Sequence, residues 1–373
     1  MMQYLWLTKL PFLTAFSVSL MLCIALVRFS QALSRLTRSH DLSSVQAAHT
    51  KPTLRLAGVA IFGSMCLADS IYGASGGALR MLLLACLPVF AFGLLEDIGV
   101  DQSPARRLIA SIISGAIYIA LTGSYLSDPG IFWLQPIFDY WFVAVPFTLF
   151  VVAGLVNAFN LIDGLNGLTG FTALTACTGI AVIAYKAGFS GIIFPCMVVC
   201  AAVIGFIFVN FPYGKLFLGD SGAYSTGFIL SCLSLATLNA APMVSPWAML
   251  MVFFWPIADT IFTILRRIKS GRPVGQPDRL HFHQVVMRII EISPLGRKGL
   301  EYSNPTATLV ILPLMVTPPI FGVLFWDRNS LCLMLFWAFL MAFSIVYVTL
   351  VKSAFRFKRG FATPKKAVWI AVK

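Results

Sequence analysis

Four short segments break an otherwise apolar chain of 373 residues and carry its densest polar chemistry. They read Gly93-Leu-Leu-Glu-Asp97, Asn157-Ala-Phe-Asn-Leu-Ile-Asp-Gly-Leu-Asn-Gly167, Phe217-Leu-Gly-Asp-Ser-Gly222 and Pro277-Asp-Arg-Leu-His-Phe-His283. Glycines flank two of the acids: Gly164 and Gly167 follow Asp163, and Gly219 and Gly222 bracket Asp220. Glycine permits tight turns and close backbone approach to a ligand. Carboxylates with oxygen-donor neighbours suit Mg2+, which binds one or two carboxylates together with waters and phosphate oxygens. Arginine, lysine and protonated histidine suit the phosphates themselves. Acids that hold metal beside bases that hold phosphate describe metal-assisted phosphoryl chemistry.

Other chemistries lack their residues. No G-x-x-x-x-G-K-S/T run is present to cradle a nucleotide, and no H-E-x-x-H to hold a protease zinc. His281-Phe-His283 has no cysteine or third histidine in its loop to complete a zinc set. The eight cysteines (Cys23, Cys66, Cys86, Cys177, Cys196, Cys200, Cys232 and Cys332) all fall in apolar stretches and read as small packing residues.

The elements that must position these segments are membrane helices. The chain is 59% hydrophobic and 11% charged, with a mean hydropathy of +0.88; a soluble domain carries roughly 25% charged residues. Windows of about 20 apolar residues recur, each long enough to cross about 30 Å of hydrocarbon. Period-two alternation over segments of about 10 residues, the mark of a membrane β-barrel, is absent. The expected fold is therefore all-α and polytopic, with about 11 transmembrane helices. They are placed near 10–28, 56–72, 79–95, 107–124, 141–157, 168–185, 191–209, 222–239, 246–265, 306–326 and 331–351. The first is too long, and too poor in an early basic region and cleavage site, for a removable signal peptide. No internal repeat, low-complexity tract or separate soluble domain is visible. The chain reads as a single integral membrane domain, 1–373, with loops 29–55, 96–106, 157–167, 210–222 and 266–305 on one side and a basic tail 352–373.

Charge orients it. Of the 27 Lys and Arg residues, 23 fall on the side of those loops, and only Lys9, Arg80, Lys186 and Arg328 on the other. The positive-inside rule makes the richer side cytoplasmic, with the N-terminus outside and the C-terminus inside. The net charge of +13 is thus concentrated where it can hold anionic membrane lipids or draw in a polyanion. Dispersed over loops beside lipid, these bases do not form a nucleic-acid footprint.

With this topology the four segments share the cytoplasmic face. A lone acid at a helix end is most simply a charge that has snorkelled to water, but four independent segments converging on one face point to a site. Structural readings fit the rest. Asp259, inside an apolar span near Arg266 and Arg267, satisfies a polar neighbour or orients the loop that follows, and Asp69 near an outer helix end is solvated. Trp133, Trp141, Trp247 and Trp326 anchor the outer boundary. Residues 284–292 have the spacing of a short helix on the inner surface.

Read together, these motifs resemble the polyprenyl-phosphate hexosamine-1-phosphate transferases. That family includes undecaprenyl-phosphate N-acetylglucosamine-1-phosphate transferases and the phospho-N-acetylmuramoyl-pentapeptide translocase of peptidoglycan synthesis. The resemblance runs from about His49 to about Gln284 and is most specific at Asn157–Gly167 and Phe217–Gly222. His49-Thr-Lys-Pro-Thr-Leu-Arg-Leu-Ala-Gly58 resembles the first cytoplasmic motif, departing at Leu54, where proline is usual, and at Ala57, where glycine is usual. Glu96 stands where many members have a second aspartate.

The resemblance implies transfer of a sugar 1-phosphate from a UDP-sugar to undecaprenyl phosphate, with UMP released. It implies Mg2+ as cofactor, with Mn2+ as a substitute. Asp220 is then the metal ligand. Asp97 deprotonates or orients the acceptor phosphate, shares the metal, and acts with Glu96 and Asp163 in catalysis. Asn157 and Asn160 line the nucleotide-sugar site with Asp163. Lys215, Arg279, His281, His283, Thr53 and Arg55 contact substrate. The expected setting is the bacterial inner (plasma) membrane, and the expected role the start of O-antigen or another surface polysaccharide, with a homodimer as a further expectation. The peptidoglycan translocase is the nearest rival, set apart by its histidine triplet where this chain has His-Phe-His. A transporter is the rival from another class; its acids would sit at the bilayer midplane between repeats.

Overall fold

Backbone groups in hydrocarbon find no water, so each apolar run must satisfy its own N–H and C=O groups, and a helix does so. The computed structural model describes residues 2–33, 53–73, 77–271, 280–293 and 300–360, and among these every regular element is helical. In order they are α1 (Met2–Arg28), α2 (Ser30–Leu33), α3 (Ala57–Tyr72), α4 (Ala78–Asp97), α5 (Pro104–Thr122) and a 3-10 turn (Phe132–Leu134). Then follow α6 (Gln135–Phe138), α7 (Trp141–Leu161), α8 (Leu168–Lys186), α9 (Ile193–Asn210) and α10 (Gly219–Ala240). The last are α11 (Pro246–Val252), α12 (Phe254–Lys269), α13 (Phe282–Ile292), α14 (Leu300–Leu324) and α15 (Asn329–Gly360).

Each expected span contains helix, but the count of eleven is approximate. Among the described residues, nine helices are long and apolar enough to cross a membrane. The pair α11–α12 makes a tenth if taken as one span, although it bends by 84°. Helix α3, with 16 residues, is apolar but shorter. Two starts show their local cause. Ser103 and Ser245 accept from the backbone N–H of Arg106 and Ala248, each followed by a proline whose missing N–H costs nothing at a first turn.

Helix α10 is the axis of the fold: nearly all of it is buried, and α3, α4, α5, α7 and α8 pack around it. Its first turn is built for close approach. A Cβ on Gly58 of α3 would lie 2.3 Å from Gly222 N, and one on Gly93 of α4 would lie 2.6 Å from Ser221 Cα. Both obstacles are backbone, so the three helix ends meet only because these positions lack side chains. On the far side α1 packs on α9 and α3. A second apolar cluster, with Trp247, Trp255, Phe282, Phe336 and Phe343, joins α11 to α15.

Two expectations change. Asp69 is buried, not solvated, because Arg80 Nε reaches its Oδ2 at 3.0 Å. The segment 284–292 is helical, as α13, but Phe282, Val285 and Val286 are buried within the protein, which packs α13 on α14 and α15. All eight cysteines are unpaired and buried or half-buried.

Candidate active site

The site is assembled at the ends of α4, α7 and α10 and the lead-in to α3. The peptide before α3 docks on the peptide before α10 through backbone bonds: Phe217 N–H to Leu54 O (2.9 Å), Ala57 N–H to Phe217 O (3.1 Å) and Gly58 N–H to Leu218 O (3.0 Å). The departures at Leu54 and Ala57 keep these bonds, since they use only a carbonyl and an N–H that any such residue retains. Docking brings Arg55 over α10, with Nη2 3.6 Å from Asp220 Oδ1.

Asp97 caps α10 from the end of α4. Its Oδ1 accepts from Asp220 N–H (2.8 Å), and its Oδ2 from Ser221 N–H (3.0 Å) and Ser221 Oγ (2.6 Å). A helix N-terminus leaves N–H groups unpaired and favours a negative charge there. Both Asp97 oxygens are therefore engaged in holding Asp220 in place. Asp220, in the first turn, also receives Asn160 Nδ2 at 2.8 Å from the end of α7. Glu96 pairs with Arg107 (Oε1 to Nη1, 3.4 Å) and lies beside Asp220, and its buried Oε2 has no donor among the described residues. Arg107 Nη1 also donates to the Tyr224 hydroxyl at 3.1 Å.

Asp163 follows α7 in a loop tied down by asparagines. Gly167 N–H donates to Asn210 Oδ1 (2.6 Å), Asn166 N–H to Asn304 Oδ1 (2.8 Å), and Thr308 Oγ1 to Asn166 O (2.7 Å). Thr169 Oγ1 donates to Asp163 Oδ1 at 2.9 Å. Burial pushes the Asp163 carboxyl up to about 6; Arg55 and the Thr169 bond oppose the rise, and Asp220 adds to it.

Of the residues expected from sequence, Asp97, Asp220, Asn160 and Arg55 are thus in direct contact, with Glu96 and Asp163 within electrostatic reach. Thr53 lies half-buried just before the docked peptide. Asn157 donates to Ala153 O of its own helix (2.7 Å), and exposed Lys215 stands 5.6 Å from the Tyr213 ring. His281 and His283 are buried, not displayed: His281 bonds Asp259, and burial holds the His283 imidazole down at about 4, so it is neutral near pH 7. Arg279 lies outside the described residues, as do His49, Thr50, Lys51 and Pro52 of the first motif. Sequence reasoning missed Arg107, Tyr224, Ser221, Asn210, Asn304 and Thr308 as members of the site. Ser221 lay inside the Phe217–Gly222 segment without a role; the signal of the others was polarity at a helix end or within an apolar run.

The donor set fits a hard divalent cation. Among the described residues no three His, Cys, Asp or Glu side chains form a closed cage. Asp220 and the Glu96 oxygen that has no donor instead offer an open, oxygen-only site of the sort Mg2+ shares with phosphates and waters.

Residues 79–238 match the family model described as glycosyl transferase family 4. That stretch holds α4 to α10 and with them Glu96, Asp97, Asn160, Asp163 and Asp220, while Arg55 and the histidine segment lie beyond it. A protein of Bacillus subtilis (strain 168) named "Probable undecaprenyl-phosphate N-acetylglucosaminyl 1-phosphate transferase" is 30% identical over 277 residues, covering 73% of this chain and 76% of that protein. The undecaprenyl-phosphate alpha-N-acetylglucosaminyl 1-phosphate transferase of Yersinia pestis is 29% identical over 242 residues, 62% of this chain and 64% of its own length. That of Escherichia coli (strain K12) is 30% identical over 218 residues, 56% of this chain and 58% of its own length. The acid cluster falls inside the matched stretch, and the likeness to the Bacillus protein extends well beyond it, so the chain belongs to glycosyl transferase family 4.

Proposed function

We propose that this multi-pass membrane protein transfers a sugar 1-phosphate, N-acetylhexosamine 1-phosphate, from a UDP-sugar to undecaprenyl phosphate. A phosphate oxygen of the acceptor attacks the β-phosphorus of the donor, the bond from that phosphorus to the bridging oxygen breaks, and UMP leaves with the electron pair. The products are an undecaprenyl-diphosphate sugar and UMP, the first step of an O-antigen or other surface polysaccharide. The observation that carries the reading is Asp220 fixed at the start of α10 by Asp97 and Asn160, with Arg55 beside it. The names of the similar proteins support the acceptor and the transferred group.

Asp220 and Glu96 would hold Mg2+, which when bound offsets the charge of the diphosphate and of the departing UMP. Asp97 positions Asp220 rather than touching substrate, since its oxygens already serve three donors. Arg55, freed from Asp220, and Lys215 are placed to take phosphate oxygens. Asp163, Asn157 and Asn160 face the nucleotide sugar. An acceptor phosphate is already ionised near neutral pH, so orientation is the larger task. The apolar helix exteriors leave the polyprenyl tail in lipid. The 23 bases grouped on one side support a cytoplasmic site with the N-terminus outside.

The test is purified protein with undecaprenyl phosphate, Mg2+ and a panel of UDP-sugars, read by UMP release and by the mass of the product lipid. The reading expects UMP only when the acceptor is present, with the lipid heavier by one N-acetylhexosamine phosphate. No UMP from any UDP-sugar would refute it and leave transport as the better account of the acids.

A further inference from the structure

Asp259 sits on α12, in the helix that follows the 84° bend, and is 1% exposed. A buried carboxylate is tolerated only when its oxygens are bonded. Here neither partner belongs to α12. Oδ2 lies 2.8 Å from His281 Nδ1, and Oδ1 accepts from the Phe282 N–H at 2.8 Å. The carboxylate fixes which imidazole nitrogen carries the proton, placing it on Nδ1. The same stretch is pinned once more, at Leu280, whose carbonyl accepts from the Tyr347 hydroxyl of α15 at 2.7 Å and from Arg266 of α12.

From His281 the contacts run on to the acid cluster. Its ring stacks on that of His283, with centroids 5.6 Å apart and planes 18° from parallel. His283 Nε2 would lie only 2.6 Å from a Cβ placed on Gly164, so the ring rests on the backbone beside Asp163. His283 Nδ1 is buried with no partner among the described residues, a cost that an apolar side chain would avoid. The ring therefore fills its place at a cost, and that place is the wall of the Asp163 loop.

We propose that Asp259 is a positioning residue for the transfer site. It fixes the turn His281-Phe282-His283, and through His283 it sets the surface against which the Asp163 loop is held. Its effect on transfer rests on the function proposed above; its hold on the turn does not.

The experiment uses the full-length protein in detergent and four variants: Asp259→Asn, His281→Ala, the two combined, and Tyr347→Phe. Asp259→Asn keeps the side chain's size but gives up one of two acceptors. In amide hydrogen exchange, Phe282 to Val286 should lose protection in Asp259→Asn and, to a smaller degree, in Tyr347→Phe, while α10 keeps its own. In UMP release, Asp259→Asn and His281→Ala should each lower kcat/KM by roughly tenfold, mainly through the KM for UDP-sugar. The combined variant should be no worse than about twofold beyond the weaker single one, because one pathway is lost once. Losses that multiply in the combined variant would overturn the proposal. So would unchanged exchange at Phe282–Val286, or protection lost equally in every helix, which would make Asp259 a general stability residue. If the wild type releases no UMP, the proposed reaction fails, and the exchange arms still decide whether Asp259 holds the turn.

Discussion

Asp97 and Asp220 meet at one helix end, and geometry separates their work. Asp97 spends both oxygens on three donors, whereas Asp220 accepts from Asn160 and stands 3.6 Å from Arg55, with Glu96 also beside it. Asp220→Asn should therefore cut UMP release by at least about a hundredfold, the scale of losing a principal electrostatic contact, with an unchanged melting temperature. Asp97→Ala should lower both, since removing a cap costs about 0.5–2 kcal/mol and more where donors stay buried. Equal melting temperatures for the two variants would remove the capping role. The pH dependence of stability tests two other residues. His283 sits at about 4 in the folded chain, against an ordinary 6.5. The unfolded chain then binds the extra proton, so stability falls as pH drops through that window. Asp163, at about 6 against 3.8, acts the other way: the folded chain binds the extra proton, and stability falls as pH rises through that range. Between about pH 6.5 and 4.5, His283→Gln should lose less unfolding free energy than wild type and Asp163→Asn should lose more, each by a few kcal/mol at most at about 1.4 kcal/mol per pKa unit, read by denaturation at each pH. That the acids come together was legible from residue type and position alone. The division between Asp97 and Asp220 was not, because capping across 123 residues leaves no spacing signal. Arg107 was legible only as one of the bases on the positively charged side; its pairing with Glu96 needs the packing of α5 on α4.

At the scale of elements, the site depends on how closely α3 and α4 approach α10. Gly58→Ala or Gly93→Ala would place a methyl group against backbone at 2.3 and 2.6 Å, and overpacking of this kind costs about 1–3 kcal/mol. Each should lower both melting temperature and UMP release by displacing the turn that carries Asp220. Gly63→Ala, whose Cβ meets only Leu22 at 3.9 Å, is the control and should behave as wild type. Similar behaviour of all three would mean that the close approach does not set the site. The positions of the helices were readable because the length of an apolar run fixes a span. The 84° bend was not read, although it has a local signal: Pro256 has no N–H for the carbonyl of Val252, and its ring crowds that carbonyl, so one helix cannot run through the break. Its angle is then supported by packing of Trp255 against Phe282 and Phe343, residues remote in sequence. The same packing explains why α13 is buried against α14 and α15 although its pattern alone also fits a surface helix.

Across the whole molecule, the contacts among Arg55, Asp97, Asn160, Asp163 and Asp220 place the ends of α4 and α7 and the starts of α3 and α10 on one side. The charge bias supports the proposal that this side is cytoplasmic. Reporter fusions after Asp101 and Gly271 should report cytoplasm, and fusions near Asp128 and Asn239 the outside; the reverse pattern would put the site where no UDP-sugar is supplied. The multi-span helical architecture was the most legible feature of the sequence, because hydropathy acts over whole spans; the orientation read from the basic residues is what the fusions test. The most direct measurement is UMP release from UDP-N-acetylglucosamine by purified wild type and Asp220→Asn, with and without undecaprenyl phosphate. The account predicts UMP from the wild type only when the acceptor is present, and a loss of at least about a hundredfold in Asp220→Asn. Acceptor-dependent release at the wild-type rate from Asp220→Asn would contradict it and move the chemistry away from the start of α10.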